Sequence, residues 1–202
     1  MTLEVTVMRR FAAITLALVV TGFTGLEPSQ VAAQAGGWTA LFDGRTLNGW
    51  NIVGNANWEV VDGTIQASSG SGFLVTPTSY GDFQITLEFW VDDDANSGVF
   101  FRCSDLKTIN AMTAYEAQIF DKRPDPEFRT GALVFISKPA AMINTGGKWN
   151  TYDITAQGAR LMVTLNGTRT VDLQDAKHAR GPIALQRTAG IVRFRNVRIR
   201  TL

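Results

Sequence analysis

Three short runs of alternating residues carry side chains able to do chemistry on what reads as one face of a β-sheet. In DFQITLEFWV the apolar set Phe83, Ile85, Leu87, Phe89 and Val91 alternates with Gln84, Thr86, Glu88 and Trp90. In SGVFFRC, Phe100 and Arg102 alternate with Val99 and Phe101. In AYEAQIFD, Glu116 and Gln118 alternate with Ala117 and Ile119. If the three strands share a sheet, Glu88, Trp90, Arg102, Glu116 and Gln118 project from one of its faces. A mixture of carboxylates, amides, a guanidinium and an indole suits a sugar on a concave sheet better than it suits a core.

The elements that must position these groups are strands. From Trp38 onward nearly every segment reads as strand or turn, and no stretch has helical periodicity. Asp62-Gly63 and Asn166-Gly167 are pairs suited to the positive φ angles of tight hairpin turns. Phe194 is apolar on one phase of the last strand, and Val197 and Ile199 on the other. A β-bulge near Arg195 and Asn196 restores a single core face. Arg193, Arg195, Arg198 and Arg200 then line the opposite face, as a solvated surface or, alternatively, a polyanion site. KRPDPEFRT lacks alternation and reads as a loop over a sheet edge, whereas TGALVFIS reads as another strand. Many short strands with turn signals between them imply an all-β, two-sheet antiparallel jelly-roll sandwich. Phe83, Ile85, Leu87, Phe89, Ala117, Ile119, Leu161, Val163, Ile183 and Leu185 are its expected core.

Residues 1–35 are expected to lie outside this domain, which spans 36–202. Arg9 and Arg10 precede an apolar run from Phe11 to Phe23, and Ala33-Gln34-Ala35 forms a small-residue cleavage site. That order reads as a secretory signal peptide, so the protein is expected to be exported to a bacterial periplasm or beyond. Removing the segment takes away Arg9, Arg10, Glu4 and Glu27, so the net charge stays at +1. A near-neutral domain has no electrostatic reason to seek nucleic acid or an anionic membrane. Cys103 is the only cysteine, so no internal disulfide supports the fold. The only histidine, His178, lies in DAKHARGP and reads as a solvated loop residue.

The motifs WTALFDGRTLNGW, WEVVDGTI, YGDFQITLEF, NSGVFFR, YEAQIFD, TGAL, KWNTYDI, LNG, GPIALQ and VRFRNVRI follow one another in register. Together they resemble the 3-keto-disaccharide hydrolase domain family across essentially all of Trp38 to Leu202. The resemblance implies a concanavalin A-like jelly roll in exported bacterial proteins, acting on small glycosides whose sugar carries a ketone at C3. It implies hydrolysis, or β-elimination followed by hydration, with a divalent metal in some members. Such chemistry needs a base for the C2 proton, a positive group for the enolate, and a proton for the leaving oxygen. Glu116, in the YEAQIFD motif, is the expected base, and Arg102 is the expected partner of the enolate oxygen. Asn96, Gln118 and Gln186 are expected to hold sugar hydroxyls, Trp90 to offer a ring face, and Glu88 to complete the substrate site.

One departure from the family is visible. After its GxIxLQ motif the family often has an Asp-His-Gly type sequence, whereas this chain reads LQRTAG, with Arg187 and Thr188 at those places. The absence of that histidine makes a non-catalytic carbohydrate-binding module the alternative function. It also leaves a metal without an imidazole ligand, and the metal site is not assignable from the sequence. A retaining glycosidase built on Glu88 and Glu116, or a structural jelly-roll domain that makes no use of Glu116, are the other readings.

Overall fold

A computed structural model describes Thr2 and residues 37–202. The expected signal peptide lies outside the described residues. Among these, no helix is long and apolar enough to cross a membrane.

Among the described residues thirteen strands form in chain order: β1 (Thr39–Ala40), β2 (Asn51–Gly54), β3 (Glu59–Val61), β4 (Thr64–Ala67), β5 (Gly72–Val75), β6 (Phe83–Val91), β7 (Asn96–Phe101), β8 (Tyr115–Ile119), β9 (Trp149–Gln157), β10 (Arg160–Leu165), β11 (Thr168–Gln174), β12 (Ala184–Ala189) and β13 (Val192–Thr201). The helical content of the described residues is one 3₁₀ turn, Pro126–Phe128. The larger sheet has the order β11-β10-β9-β6-β13-β4-β3, with β1 also on β13, and the smaller has β2-β5-β12-β7-β8. All the strand pairs are antiparallel. This is the two-sheet sandwich that the alternation implies.

Period-two patterning does its work on both inner faces. Phe83, Ile85, Leu87 and Phe89 of β6, Ala117 and Ile119 of β8, Leu161 and Val163 of β10, and Ile183 and Leu185 beside or on β12 are all buried in one core cluster. The sheets meet through aromatic contacts such as Phe83 with Phe101, centroids 5.9 Å apart. One polar tie also crosses the core. The Tyr152 hydroxyl on β9 donates to the Gln118 carbonyl at 2.6 Å and accepts the Gly131 N–H at 2.8 Å. It pins β8, and the chain beside it, to the larger sheet.

The turns follow their chemistry. Asp62 and Gly63 have φ of 48° and 74°, and Asn166 and Gly167 have 49° and 79°, the paired positive values that a type I′ hairpin turn needs. The expected bulge is present, since the β13–β6 register shifts between Arg195 and Arg198, with Asn196 at φ 52°.

TGALVFIS departs from expectation. It forms no strand but a tight loop, closed by Leu133 N–H to Ser137 carbonyl (2.9 Å) and Ser137 N–H to Leu133 carbonyl (2.8 Å). The loop lies along the outer edge of β8, with Gln118 N–H donating to Ala132 and Val134 N–H donating to Glu116. Edge-strand hydrogen bonds that would otherwise be open are thereby covered.

Candidate active site

The smaller sheet carries the candidate site on its outer face. Two rows of side chains follow from the register. Gln186, Gly98 and Gln118 stand side by side on β12, β7 and β8, and Ala184, Phe100 and Glu116 form the next row. Gly98 brings no side chain to the centre of the first row, and the Glu116 carboxyl occupies the space over it. With strands about 4.8 Å apart, the two glutamines stand roughly 10 Å from each other on either side. Around this floor lies a cleft of about 290 Å³, lined among others by Asn96, Phe100, Glu116, Gln118, Gln186 and Arg123. That is near the lower limit of about 300 Å³ for small-molecule sites, a volume suited to one sugar ring rather than a chain.

Among the described residues Glu116 is the one carboxylate in the cleft lining, and it is 7% exposed. Its carboxyl lies over Gly98, since a Cβ there would come within 3.1 Å of Oε1. Among the described residues its carboxyl oxygens take part in none of the side-chain hydrogen bonds. Burial alone therefore governs its titration and pushes its pKa up to about 8. The Oε1 of Gln186 is also buried and has no hydrogen-bond partner. A buried acceptor with no donor is costly.

Asn96, Glu116, Gln118 and Gln186 thus share one cleft, but three expected members lie elsewhere. Glu88 and Trp90 belong to β6, in the larger sheet, and face outward there. The short connection from Asp92 to Ala95 carries the chain from one sheet to the other, so consecutive strands are not neighbours. Glu88 accepts from Arg195 Nη2 at 2.6 Å and from Asn196 Nδ2 at 2.6 Å. Burial raises its pKa, but these donors more than offset that and leave it below the ordinary value. Trp90 lies under the Arg193 guanidinium, 4.8 Å from the ring centroid, and Trp149 under Arg195 at 3.9 Å. These pairs tile the outer face of the larger sheet. Glu88 and Glu116 are therefore not a glycosidase carboxylate pair.

Arg102 is the third correction. Its φ of 53° ends the alternation of β7 and turns the side chain out of the cleft face. The guanidinium is 1% exposed; it donates to the carbonyls of Gly81, Gly158 and His178 at 2.9–3.1 Å and to Asp82 Oδ1 at 3.1 Å. It gathers three turns of the chain rather than serving a ligand. His178 is buried beside it, packed edge-on against Tyr115 at 5.0 Å, and is not the solvated residue its loop suggests.

The cleft also has members that alternation does not reveal. Arg123 is its cationic side chain, and Phe128, Phe135, Ile109 and Asn110 complete its walls. All five come from the irregular segments before and after β8. The lack of strand pattern in KRPDPEFRT was the sequence signal that this stretch covers something. At the family's usual histidine position, Thr188 is exposed, and Arg187 is tied to the carbonyls of Ser68, Gly70 and Gly190. A divalent metal would find one carboxylate and neutral amides in this cleft, a poor ligand set. Among the described residues no cluster of three or more His, Cys, Asp or Glu is placed to hold one.

The fold is a two-sheet jelly roll with a cleft on the outer face of its smaller sheet. Residues 37–200 match the family described as the 3-keto-alpha-glucoside-1,2-lyase-like domain, and the chain belongs to that family. A curated relative, the 3-keto-disaccharide hydrolase of Bacteroides thetaiotaomicron, is 25% identical over 157 residues, covering 62% of this chain. The match spans 54% of that relative's length. Among solved structures, a candidate glycosyl hydrolase from Parabacteroides distasonis superposes with a TM-score of 0.74 at 22% identity, covering 82% of this chain and 94% of that one. The carbohydrate-binding module CBM66 of Bacillus subtilis gives 0.62 at 23% identity, covering 76% and 96%. These two likenesses show the fold.

Proposed function

We propose that the chain cleaves small glycosides whose sugar carries a ketone at C3, with Glu116 as the base. The observation that carries this reading is the buried, unpartnered Glu116 carboxyl in a ring-sized cleft between two glutamines. The family and its curated relative support the substrate class.

A C3 ketone acidifies the hydrogen on C2. The Glu116 carboxylate takes that proton, and the electron pair moves into the enolate. Collapse of the enolate forms the C1–C2 double bond and breaks the C1–O bond, releasing the leaving group as its oxyanion or, with a proton, the alcohol. Water adding across the double bond completes a net hydrolysis. Arg123, the cation of the cleft, takes the enolate-steadying part expected of Arg102. Asn96, Gln118 and Gln186 hold the sugar hydroxyls. A pKa near 8 makes Glu116 a stronger base than an ordinary carboxylate once ionised. The sequence order at Arg9 to Ala35 supports action outside the cytoplasm.

A second reading is favoured by one feature, the LQRTAG sequence, in which the family's usual histidine is absent. On that reading the domain binds keto-sugars without turning them over. Incubation of purified protein with 3-keto-sucrose or 3-keto-trehalose, with and without Mn²⁺ or Ca²⁺, separates the two. Released monosaccharide supports the cleavage reading. Binding without release under every condition supports the module.

A further inference from the structure

At the mouth of the cleft, Phe135 is 59% exposed and has a φ of 62°. A bulky residue in the left-handed region is strained, and such strain gathers at functional sites. A glycine would take the same backbone without strain. The loop's main chain is held through Ile136 N–H to Leu133 carbonyl at 2.9 Å and the paired Leu133–Ser137 bonds. It is also fastened to the site itself, since Val134 N–H donates to the Glu116 carbonyl at 3.1 Å. Phe128 meets Phe135 edge-on, with centroids 5.1 Å apart and planes at 85°. Asp125 caps the turn that carries Phe128, its Oδ1 accepting the Glu127 N–H at 3.0 Å. Behind Phe128 stands Arg123, 5.4 Å from its centroid. Phe128 and Phe135 therefore form an apolar corner opening on the same cleft as Glu116.

We propose that this corner binds a planar aromatic aglycone, so that aryl glycosides are the preferred substrate class. This rests on the cleft being the glycoside site of the proposed function. A flat ring stacks on one phenyl face and meets the edge of the other, which is how aromatic groups pack most favourably. A second sugar in the same corner would set hydroxyls against the two phenyl rings, and hydroxyls left unpaired there are penalised. The chemistry of departure points the same way. Glu116 is occupied as base, and the cleft lining holds no second carboxyl and no imidazole to protonate a leaving oxygen. A phenol, with a pKa of about 10, leaves as the phenolate far more readily than an oxygen nearer water's pKa of about 16. In this step C1–O breaks, the phenolate carries away the electron pair, and the C2 proton stays on Glu116.

The test uses 4-nitrophenyl α-D-glucoside and trehalose, which lack the ketone and so report binding without turnover. Calorimetric titration of the full chain should show the aryl glycoside binding about tenfold more tightly than trehalose. Phe135→Gly should remove that preference while leaving the melting temperature unchanged or higher, because glycine relaxes the positive φ. Phe128→Leu is the second variant and should weaken the preference without emptying the wall. Glu116→Gln should keep the preference in full, so loss of catalysis and loss of aglycone binding are read separately. Equal affinity for the two ligands, no detectable binding of either, or an aryl preference that survives Phe135→Gly would overturn the assignment.

Discussion

The Glu116 carboxyl rests on Gly98, with Oε1 3.1 Å and Cγ 3.2 Å from where a Cβ on residue 98 would stand. The missing side chain at 98 thus sets both the depth of the cleft and the position of its one carboxyl.

Gly98→Ala follows from that contact. The methyl group forces Glu116 to move by a few tenths of an ångström, and misplacing a reacting group costs up to about 10²-fold in rate. Folding should change by about 1 kcal/mol or less, since alanine in a strand offsets the crowding. Steady-state kinetics beside a denaturant melt gives the expected pattern of lost turnover at kept stability.

The raised pKa of Glu116 moves turnover and stability in opposite directions with pH. As the base, Glu116 must be ionised, so turnover should rise with pH through about 8 and then level off. Stability runs the other way. A folded-state pKa raised from 4.5 to about 8 means that the carboxyl stabilises the fold below 4.5 and loses that contribution as pH rises through 8. Glu116→Gln has no proton to lose, so its melting temperature should match wild type in acid and exceed it above pH 8. The difference in stability should be on the order of a few kcal/mol.

Arg102→Ala should damage the fold rather than the chemistry. It removes donors from three carbonyls and the partner of Asp82, at a cost of about 3 kcal/mol or more. The folded fraction should keep its KM and its pH profile. A large loss of kcat in protein of normal stability would return Arg102 to the site.

Glu88→Gln and Trp90→Ala provide the opposite control. Both residues sit on the outer face of the larger sheet, paired with Arg195 and Arg193. Glu88→Gln should lose about 1 kcal/mol or less, because its ion pair is partly solvated. Neither change should alter turnover or sugar binding.

The fate of these residues shows what alternation does and does not fix. Period two told which side of its own sheet each residue of β6, β7 and β8 faces, because one side of each strand must be buried. It carries no information on which sheet a strand joins, so alternation groups Glu88 with Glu116 although Asp92 to Ala95 separates their sheets. Arg102 was misplaced for a local reason, a positive φ that breaks parity one residue past the end of β7. The cleft walls were the least legible part. Arg123, Phe128 and Phe135 lie in chain without periodicity, and TGALVFIS has the composition of a strand but closes on itself beside β8. Gln186 and Asn96 were found through the motifs, and their shared cleft through the register.

The central claim is that Glu116 removes the C2 proton, and Glu116→Gln tests it most directly with 3-keto-trehalose followed by released monosaccharide and by calorimetric binding. The substitution keeps shape and amide hydrogen bonding but removes the proton acceptor. Turnover should fall by about 10²–10⁴-fold while affinity for the keto-sugar stays within a few fold of wild type. Turnover that survives Glu116→Gln at the wild-type rate would contradict the account.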